Sequence, residues 1–178
     1  MDLEAMTPGP HWYALPRLSA GFIIQYCLSI SLGIKPDMGL VGEPTSMQPA
    51  VGERGLVVLD GKAIGVSGHA ARGEGVNALY LAIEDIERLR NYKFDKQSEL
   101  LGPISLTVTQ IEAGTQHNVV PAECRFVVDV RTTDAYTNEQ TVEILQSVCR
   151  SELKPRSTRI QASAIDSRHP MVRASVSA

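Results

Sequence analysis

Two stretches of the chain alternate between apolar and polar residues, and this pattern constrains the fold more than any other feature. In residues 104–109 and again in residues 124–131, every second residue is apolar. A period of two is typical of strands that have one buried and one solvated face. A polar loop, residues 114–121, separates the two stretches, so we predict that they pair as neighbouring antiparallel strands.

Two helices are predicted from apolar residues at spacings of three and four. The second helix begins at Thr137, which forms the pattern of a capping box with Gln140. Pro155 is expected to end that helix. The predicted buried face of the first helix consists of Val76, Leu79, Tyr80, Ile83, Ile86 and Leu89.

The predicted elements follow the order strand 55–67, helix, strand, strand, helix and strand 158–165. This βαββαβ order predicts an α+β fold of the ferredoxin-like type, in which a four-stranded antiparallel sheet carries two helices on one face. Gly61 is expected to mark a bulge or turn in the first strand. The unprotected edges of such a sheet predict a homodimer that forms by pairing of edge strands.

Three further segments flank the predicted domain at residues 55–165. Residues 1–37 are compositionally uneven and rich in proline, residues 38–54 contain a short buried strand and a turn, and residues 166–178 form a polar tail. The turn carries Glu43, whose carboxylate stands at a strand end. It could meet a ligand there or be solvated.

Composition and charge exclude several classes of function. The 178 residues carry a net charge of −3 and no basic stripe, so no nucleic-acid partner is predicted. The most apolar stretch, residues 20–34, is shorter than the roughly 20 residues that span a bilayer, so no membrane partner is predicted. Three widely separated cysteines favour neither disulfides nor a thiolate metal site, which indicates a reducing, cytoplasmic location.

Residues 65–78 concentrate glycine around His69, between a predicted strand and a predicted helix. Such a loop is shaped to present a side chain or to receive a ligand, although it could also be a crossover turn with an incidental histidine. With Asn118 and Arg131, His69 could hold a carboxylate or stabilise an oxyanion. Taken singly, Arg131 could be an ion-pair partner and Asn118 a turn former.

Four motifs follow one another in the chain. They are Val41-Gly42-Glu43-Pro44-Thr45, Gly68-His69-Ala70-Ala71 with Gly75-Val76-Asn77-Ala78, the loop Gly114–Pro121, and Asp129-Val130-Arg131. In this order they resemble the zinc-dependent aminoacylase and deacylase family of metallopeptidases, and most closely its acetylornithine deacetylase branch. The resemblance implies a catalytic domain with two zinc ions, of which residues 38–54 are a remnant, and an inserted lid or dimerisation domain at residues 55–165.

The resemblance also implies roles for single residues. Glu43 matches an acidic zinc ligand at the end of a catalytic-domain strand. His69 matches the lid histidine that reaches across the dimer and polarises the substrate carbonyl in the partner's active site. Asn118 and Arg131 match lid residues that hold the substrate carboxylate. The implied reaction is hydrolysis of an N-acyl amino acid.

Several features depart from that family. Its upstream His-x-Asp and Glu-Glu motifs have no counterpart in residues 1–37, so Glu43 would be one ligand where a zinc site needs about four. We therefore expect the isolated chain to bind zinc poorly and to be inactive. Two alternatives stay open at this point: part of a dipeptidase or another amide hydrolase, and a non-catalytic module that self-associates or binds a ligand.

Overall fold

The structure, a computed structural model, describes residues 49–177, with the backbone alone at Ser177. The N-terminal segment 1–37 and the turn that carries Glu43 lie outside the described residues. From Ala50 onward the chain forms one compact unit. In chain order, its elements are β1 (Gly52–Glu53), β2 (Gly55–Ile64), β3 (Gly68–His69), a 3-10 turn (Ala70–Arg72), α1 (Ala78–Asn91), β4 (Ser105–Ala113), β5 (Val119–Val120), β6 (Glu123–Thr132), α2 (Asn138–Val148), β7 (Glu152–Pro155), β8 (Ser163–Ala164) and α3 (Pro170–Ser177).

Four strands form the main sheet in the spatial order β4-β6-β2-β7, and all neighbours are antiparallel. Because α1 connects β2 to β4 and α2 connects β6 to β7, the predicted ferredoxin-like βαββαβ fold is confirmed. The predicted pairing of β4 with β6 is also confirmed, with one irregularity between Val108 and Gln110. The edges of the sheet are therefore β4 and β7.

The fourth strand lies closer to α2 than the sequence analysis predicted. Pro155 belongs to β7 and does not end α2, which already stops at Val148. Residues 163–164 form β8, which pairs with β1 in a separate two-stranded ribbon. Residues 170–177, predicted as part of a polar tail, form the helix α3. None of the helices between residues 49 and 177 is long and apolar enough to cross a membrane.

The core lies between the sheet and the two helices α1 and α2. Every second residue of β2 and β6 points into it, as the alternation predicted. Burial of these side chains is the main term that stabilises the unit. The central strands contribute Val57, Leu59, Cys124, Phe126, Val128 and Val130, each at most 1% exposed.

Gly61 makes room for an aromatic ring and does not mark a bulge or a turn. The pairing of β2 with β6 runs without interruption past Gly61, which lies opposite Phe126. A Cβ atom at position 61 would lie 2.4 Å from the Phe126 ring. Glycine is thus required by the packing of the core at this point.

Helix α1 buries only part of the predicted face. Leu89 is 1% exposed, and Leu79 and Ile86 pack against the core as predicted. Tyr80 and Ile83, both expected in the core, are 65% and 46% exposed. Small residues let a helix approach a sheet closely, so the contact is centred on two alanines and not on the largest apolar side chains. The fully buried residues of α1 are Ala78, Ala82, Asp85 and Leu89.

Asp85 is a buried carboxylate that ties α1 to the residues after α2. It accepts hydrogen bonds from the backbone N–H groups of Arg150 at 3.1 Å and Ser151 at 2.7 Å, from the Ser151 hydroxyl at 2.6 Å, and from Arg88. Burial alone would raise the pKa of Asp85, but these hydrogen bonds outweigh it and hold that pKa below its usual value. Asp85 is therefore ionised at neutral pH.

Candidate functional site

His69 ends β3 and caps the 3-10 turn Ala70–Arg72. Its backbone is extended, with φ −87° and ψ 119°, as is usual for a capping residue. The imidazole Nδ1 atom accepts a hydrogen bond from the Ala71 backbone N–H at 3.2 Å. The side chain is exposed, and no hydrogen bond from the described residues engages Nε2. The Nε2 side of the His69 ring is therefore the side available to a ligand.

The loop that carries His69 is held by backbone contacts. Val66 and Val76 exchange two backbone hydrogen bonds of 2.8 Å across its base. A Cβ atom at Gly68 would lie 2.3 Å from the carbonyl oxygen of Glu74, closer than any side chain can approach. This close approach explains the glycine that precedes His69. The loop therefore has a defined backbone conformation, which fixes the position from which the imidazole projects.

Asn118 lies next to His69. In the short β3–β5 ribbon, His69 pairs with Val119, and the Ala70 N–H donates to the Asn118 carbonyl oxygen at 3.0 Å. Asn118 is exposed. The structure therefore brings His69 and Asn118 to one corner of the unit, where an imidazole and an amide can face the same ligand.

Arg131 lies at the other end of the sheet. It is eight residues along β6 from Glu123, which corresponds to about 26 Å in an extended strand. Its register partners are Leu56 in β2 and Ser105 in β4. The structure therefore does not bring Arg131 together with His69 within one chain, although the sequence analysis grouped them as one anion site.

The guanidinium of Arg131 is oriented by Asp129, two residues earlier on the same strand. Nε lies 2.7 Å from Oδ1 and Nη2 lies 3.2 Å from Oδ2. The Arg131 side chain is 51% exposed, so it still faces solvent. Asp129 begins the motif Asp129-Val130-Arg131. Its spacing of two along a strand could have identified this contact, because such residues share a face.

The short ribbon of β1 and β8 lies at the Arg131 end of the main sheet. Gly52 of β1 pairs with Ala164 of β8, and β2 starts directly afterwards at Gly55, opposite Thr132. His69 follows the far end of β2, a strand of ten residues that is about 30 Å long. Arg131 is thus close to the β1–β8 ribbon, whereas His69 and Asn118 are remote from it.

The face of the sheet that points away from the helices is charged but balanced. Lys62 pairs with Glu123 at 2.8 Å, and Arg156 pairs with Asp60 at 2.7 Å. The hydrogen bond from Arg156 holds the pKa of Asp60 below its usual value. Because opposite charges alternate across the strands, this face is typical of a solvated surface.

Zinc, which the sequence resemblance implies, has no set of ligands in the described part of the chain. Between residues 49 and 177, no three histidine, cysteine, aspartate or glutamate side chains lie close enough to hold a metal ion. The described residues do not fit a zinc centre.

Cys149 is a partly buried thiol. Its burial, and to a lesser extent the negative charge of Asp85, raises the pKa of the Cys149 thiol to about 11, so the thiol is protonated at neutral pH.

Residues 51–157, more than half of the chain, match the sequence model of a known protein family. That family is the M20 peptidase dimerisation domain. The matched range contains all four strands of the main sheet, both helices that cover it, and His69, Asn118 and Arg131.

Curated relatives include succinyl-diaminopimelate desuccinylases. The protein of that name from Erythrobacter litoralis is 32% identical over 127 residues, which cover 65% of this chain and 34% of the relative. The one from Orientia tsutsugamushi (strain Boryong) is 30% identical over 139 residues, which cover 67% of this chain and 36% of the relative. The chain spans about a third of the length of these relatives.

Solved structures share the fold at low sequence identity. A tripeptidase from Staphylococcus aureus superposes with a TM-score of 0.64 at 18% identity, covering 82% of this chain and 40% of the tripeptidase. An aminopeptidase from Bacillus cereus superposes with a TM-score of 0.54 at 13% identity, covering 70% of this chain and 34% of the aminopeptidase. These likenesses concern the fold alone.

Proposed function

Because the chain belongs to the M20 peptidase dimerisation domain family, we propose that its compact unit is the lid and dimerisation domain of a zinc-dependent amide hydrolase. The substrate is an N-acyl amino acid. The motifs favour an acetylornithine deacetylase type of substrate, and the names of the curated relatives favour N-succinyl-diaminopimelate. Both are amides with a free carboxylate, which Arg131 suits because a guanidinium binds a carboxylate through two hydrogen bonds.

The observation that carries the proposal is the distance between His69 and the β1–β8 ribbon. A catalytic domain joined to β1 and β8 would be adjacent to Arg131 of its own chain. His69 and Asn118 are about 30 Å away, at the far end of β2. When two copies pair antiparallel along an edge strand, the His69 end of one copy meets the Arg131 end of the other. Each active site would then combine Arg131 of one chain with His69 of its partner.

Strand β4 is the edge that best suits this pairing. It has nine residues, whereas β7 has four. The helix beside β4 adds an apolar flank. Asp85 of α1 faces the residues after α2, and Ile83 and Tyr80 lie on roughly the opposite side of the helix. Ile111 of β4 is itself 49% exposed. Such a flank next to a free strand edge is typical of an interface.

In the proposed site, His69 donates a hydrogen bond to the substrate carbonyl oxygen, on which negative charge develops during attack at the carbonyl carbon. Asn118 contacts the substrate beside it, and Arg131 of the other chain holds the carboxylate. Hydrolysis takes place on the catalytic domain, with Glu43 as one proposed zinc ligand. The metal would supply activation of the attacking water.

Complementation between two inactive variants tests this arrangement. Residues 51–157 replace the matching segment of the Erythrobacter litoralis desuccinylase. One chimera carries His69→Ala, and a second carries an inactivating substitution in the catalytic domain. If His69 acts across the dimer, equal mixing restores about a quarter of the unsubstituted activity, because half of the dimers are mixed and each has one complete site. A mixture that is no more active than its components would contradict the proposal.

A further inference from the structure

The Ala71 backbone amide determines which nitrogen of His69 carries the proton. Nδ1 accepts the Ala71 N–H at 3.2 Å. A ring nitrogen that accepts a hydrogen bond has no proton of its own, so the neutral imidazole must carry its proton on Nε2. The nitrogen that points away from the loop is therefore a hydrogen-bond donor.

We propose that Ala71 is a positioning residue, whose amide locks His69 in the tautomer that donates through Nε2. This inference rests on the proposed function, in which His69 meets a carbonyl oxygen. A carbonyl oxygen only accepts hydrogen bonds. In the opposite tautomer, His69 would turn a lone pair toward the substrate oxygen and repel it. The Ala71 amide thus fixes the donor tautomer before the substrate binds, so no free energy is spent on changing the tautomer during binding.

The surroundings of the bond support a fixed geometry. The backbone of His69 is held by its pairing with Val119, and the next amide, that of Ala70, is already engaged by the Asn118 carbonyl. The Ala71 N–H, the next amide along the turn, donates to the imidazole. The same geometry recurs elsewhere in the chain, where the Met171 N–H donates to Nδ1 of His169 at 3.3 Å.

The bond can be observed directly by NMR in the full 178-residue chain labelled with 15N, at alkaline pH where an imidazole carries one proton. We expect a nitrogen–nitrogen coupling across the hydrogen bond between Ala71 N and His69 Nδ1, and an Nε2–H tautomer for His69. His169 serves as the positive control and His117 as the comparison. An uncoupled His69, or an Nδ1–H tautomer, overturns the proposal.

A pair of variants separates the role of the amide from that of the side chain at position 71. Ala71→Pro removes the N–H, whereas Ala71→Gly retains it. We expect the ratio of Nε2–H to Nδ1–H tautomers of His69 to fall about fivefold in Ala71→Pro, the loss of one ordinary hydrogen bond, and to stay unchanged in Ala71→Gly. An unchanged ratio in Ala71→Pro contradicts the proposal. This result is independent of the complementation test. The tautomer ratio is measured in the single chain, whether or not mixed dimers regain activity.

Discussion

In the proposed site, His69 offers one nitrogen to the substrate, and amide side chains of two lengths can test which nitrogen takes part. In the chimera, glutamine places an N–H near the position of Nε2, whereas asparagine places one near Nδ1. We expect His69→Gln to retain activity within about tenfold and His69→Asn to lose about a hundredfold or more, as His69→Ala does. Steady-state kinetics measure the difference. Equal losses in the Gln and Asn variants would argue against donation through Nε2.

Asp85 stabilises the fold through hydrogen bonds to Arg150 and Ser151. Replacement by alanine leaves the amide and hydroxyl of Ser151 without their partner in the interior and removes the hydrogen bond of the Arg150 amide, so we expect Asp85→Ala to lower the free energy of unfolding by about 3 kcal/mol. Asp60→Ala is the matched control, since it removes an exposed ion pair with Arg156 and should cost at most about 0.5 kcal/mol. Urea unfolding measures both, and equal effects would contradict this account.

The pH dependence of stability follows from the same carboxylate. The pKa of Asp85 is lower in the folded chain than in the unfolded chain, where it is about 3.9. Its contribution is therefore complete above about pH 5 and is lost as the pH falls through the folded-state pKa. We expect the unfolding free energy of Asp85→Asn to depend less steeply on pH below about pH 4 than that of the parent. If the unfolding free energies of Asp85→Asn and of the parent fell equally steeply with pH, Asp85 would not be responsible for the loss of stability in acid.

The elements differ in how far the sequence reveals them. Strands β4 and β6 were predictable because each has one solvated face, and the capping box at Thr137 correctly marked the start of α2. Strand β7 was missed because a short edge strand with alternating charges and Pro155 has no apolar pattern. The buried face of α1 was predicted only in part, because close packing places alanines at the contact while Tyr80 and Ile83 are exposed.

The candidate site shows the same division between local and distant information. The glycine pattern indicated a loop that presents a side chain, and His69 is exposed in that loop. Asn118 was predicted in the polar loop 114–121, and it lies directly before the short strand β5. The distance of Arg131 from His69 follows from the antiparallel order, because β6 begins beside the end of β2 that leads to His69 and reaches Arg131 at its other end. The motifs alone carry no such information. The amide of Ala71 has no sequence signal at all, because every residue except proline provides one.

The exposed flank of α1 provides a test at the level of elements. Ile83 lies on the side of α1 away from α2 and is 46% exposed. If this flank is buried when two copies pair, Ile83→Lys should weaken dimerisation at least about tenfold. Val176→Lys is the control, since Val176 is 70% exposed on α3. Sedimentation equilibrium measures both, and equal dimerisation of the two variants would exclude the flank from the interface.

At the scale of the whole molecule, Arg131 lies at the β1–β8 end of the main sheet and the His69 loop lies at the opposite end. In the proposed function, pairing of two copies is part of the chemistry, since each active site takes Arg131 from one chain and His69 from the other. Loss of dimerisation should then abolish activity even when every site residue is intact.

Distances between spin labels across the dimer test the pairing most directly. Labels at Thr109, in the middle of β4, should lie within about 20 Å of each other, because paired strands are about 5 Å apart. Labels at Lys154 of β7 should be about 34 Å apart, seven strand spacings across a continuous eight-stranded sheet. A short distance at Lys154 with a long one at Thr109, or no coupling at either position, would contradict pairing through β4.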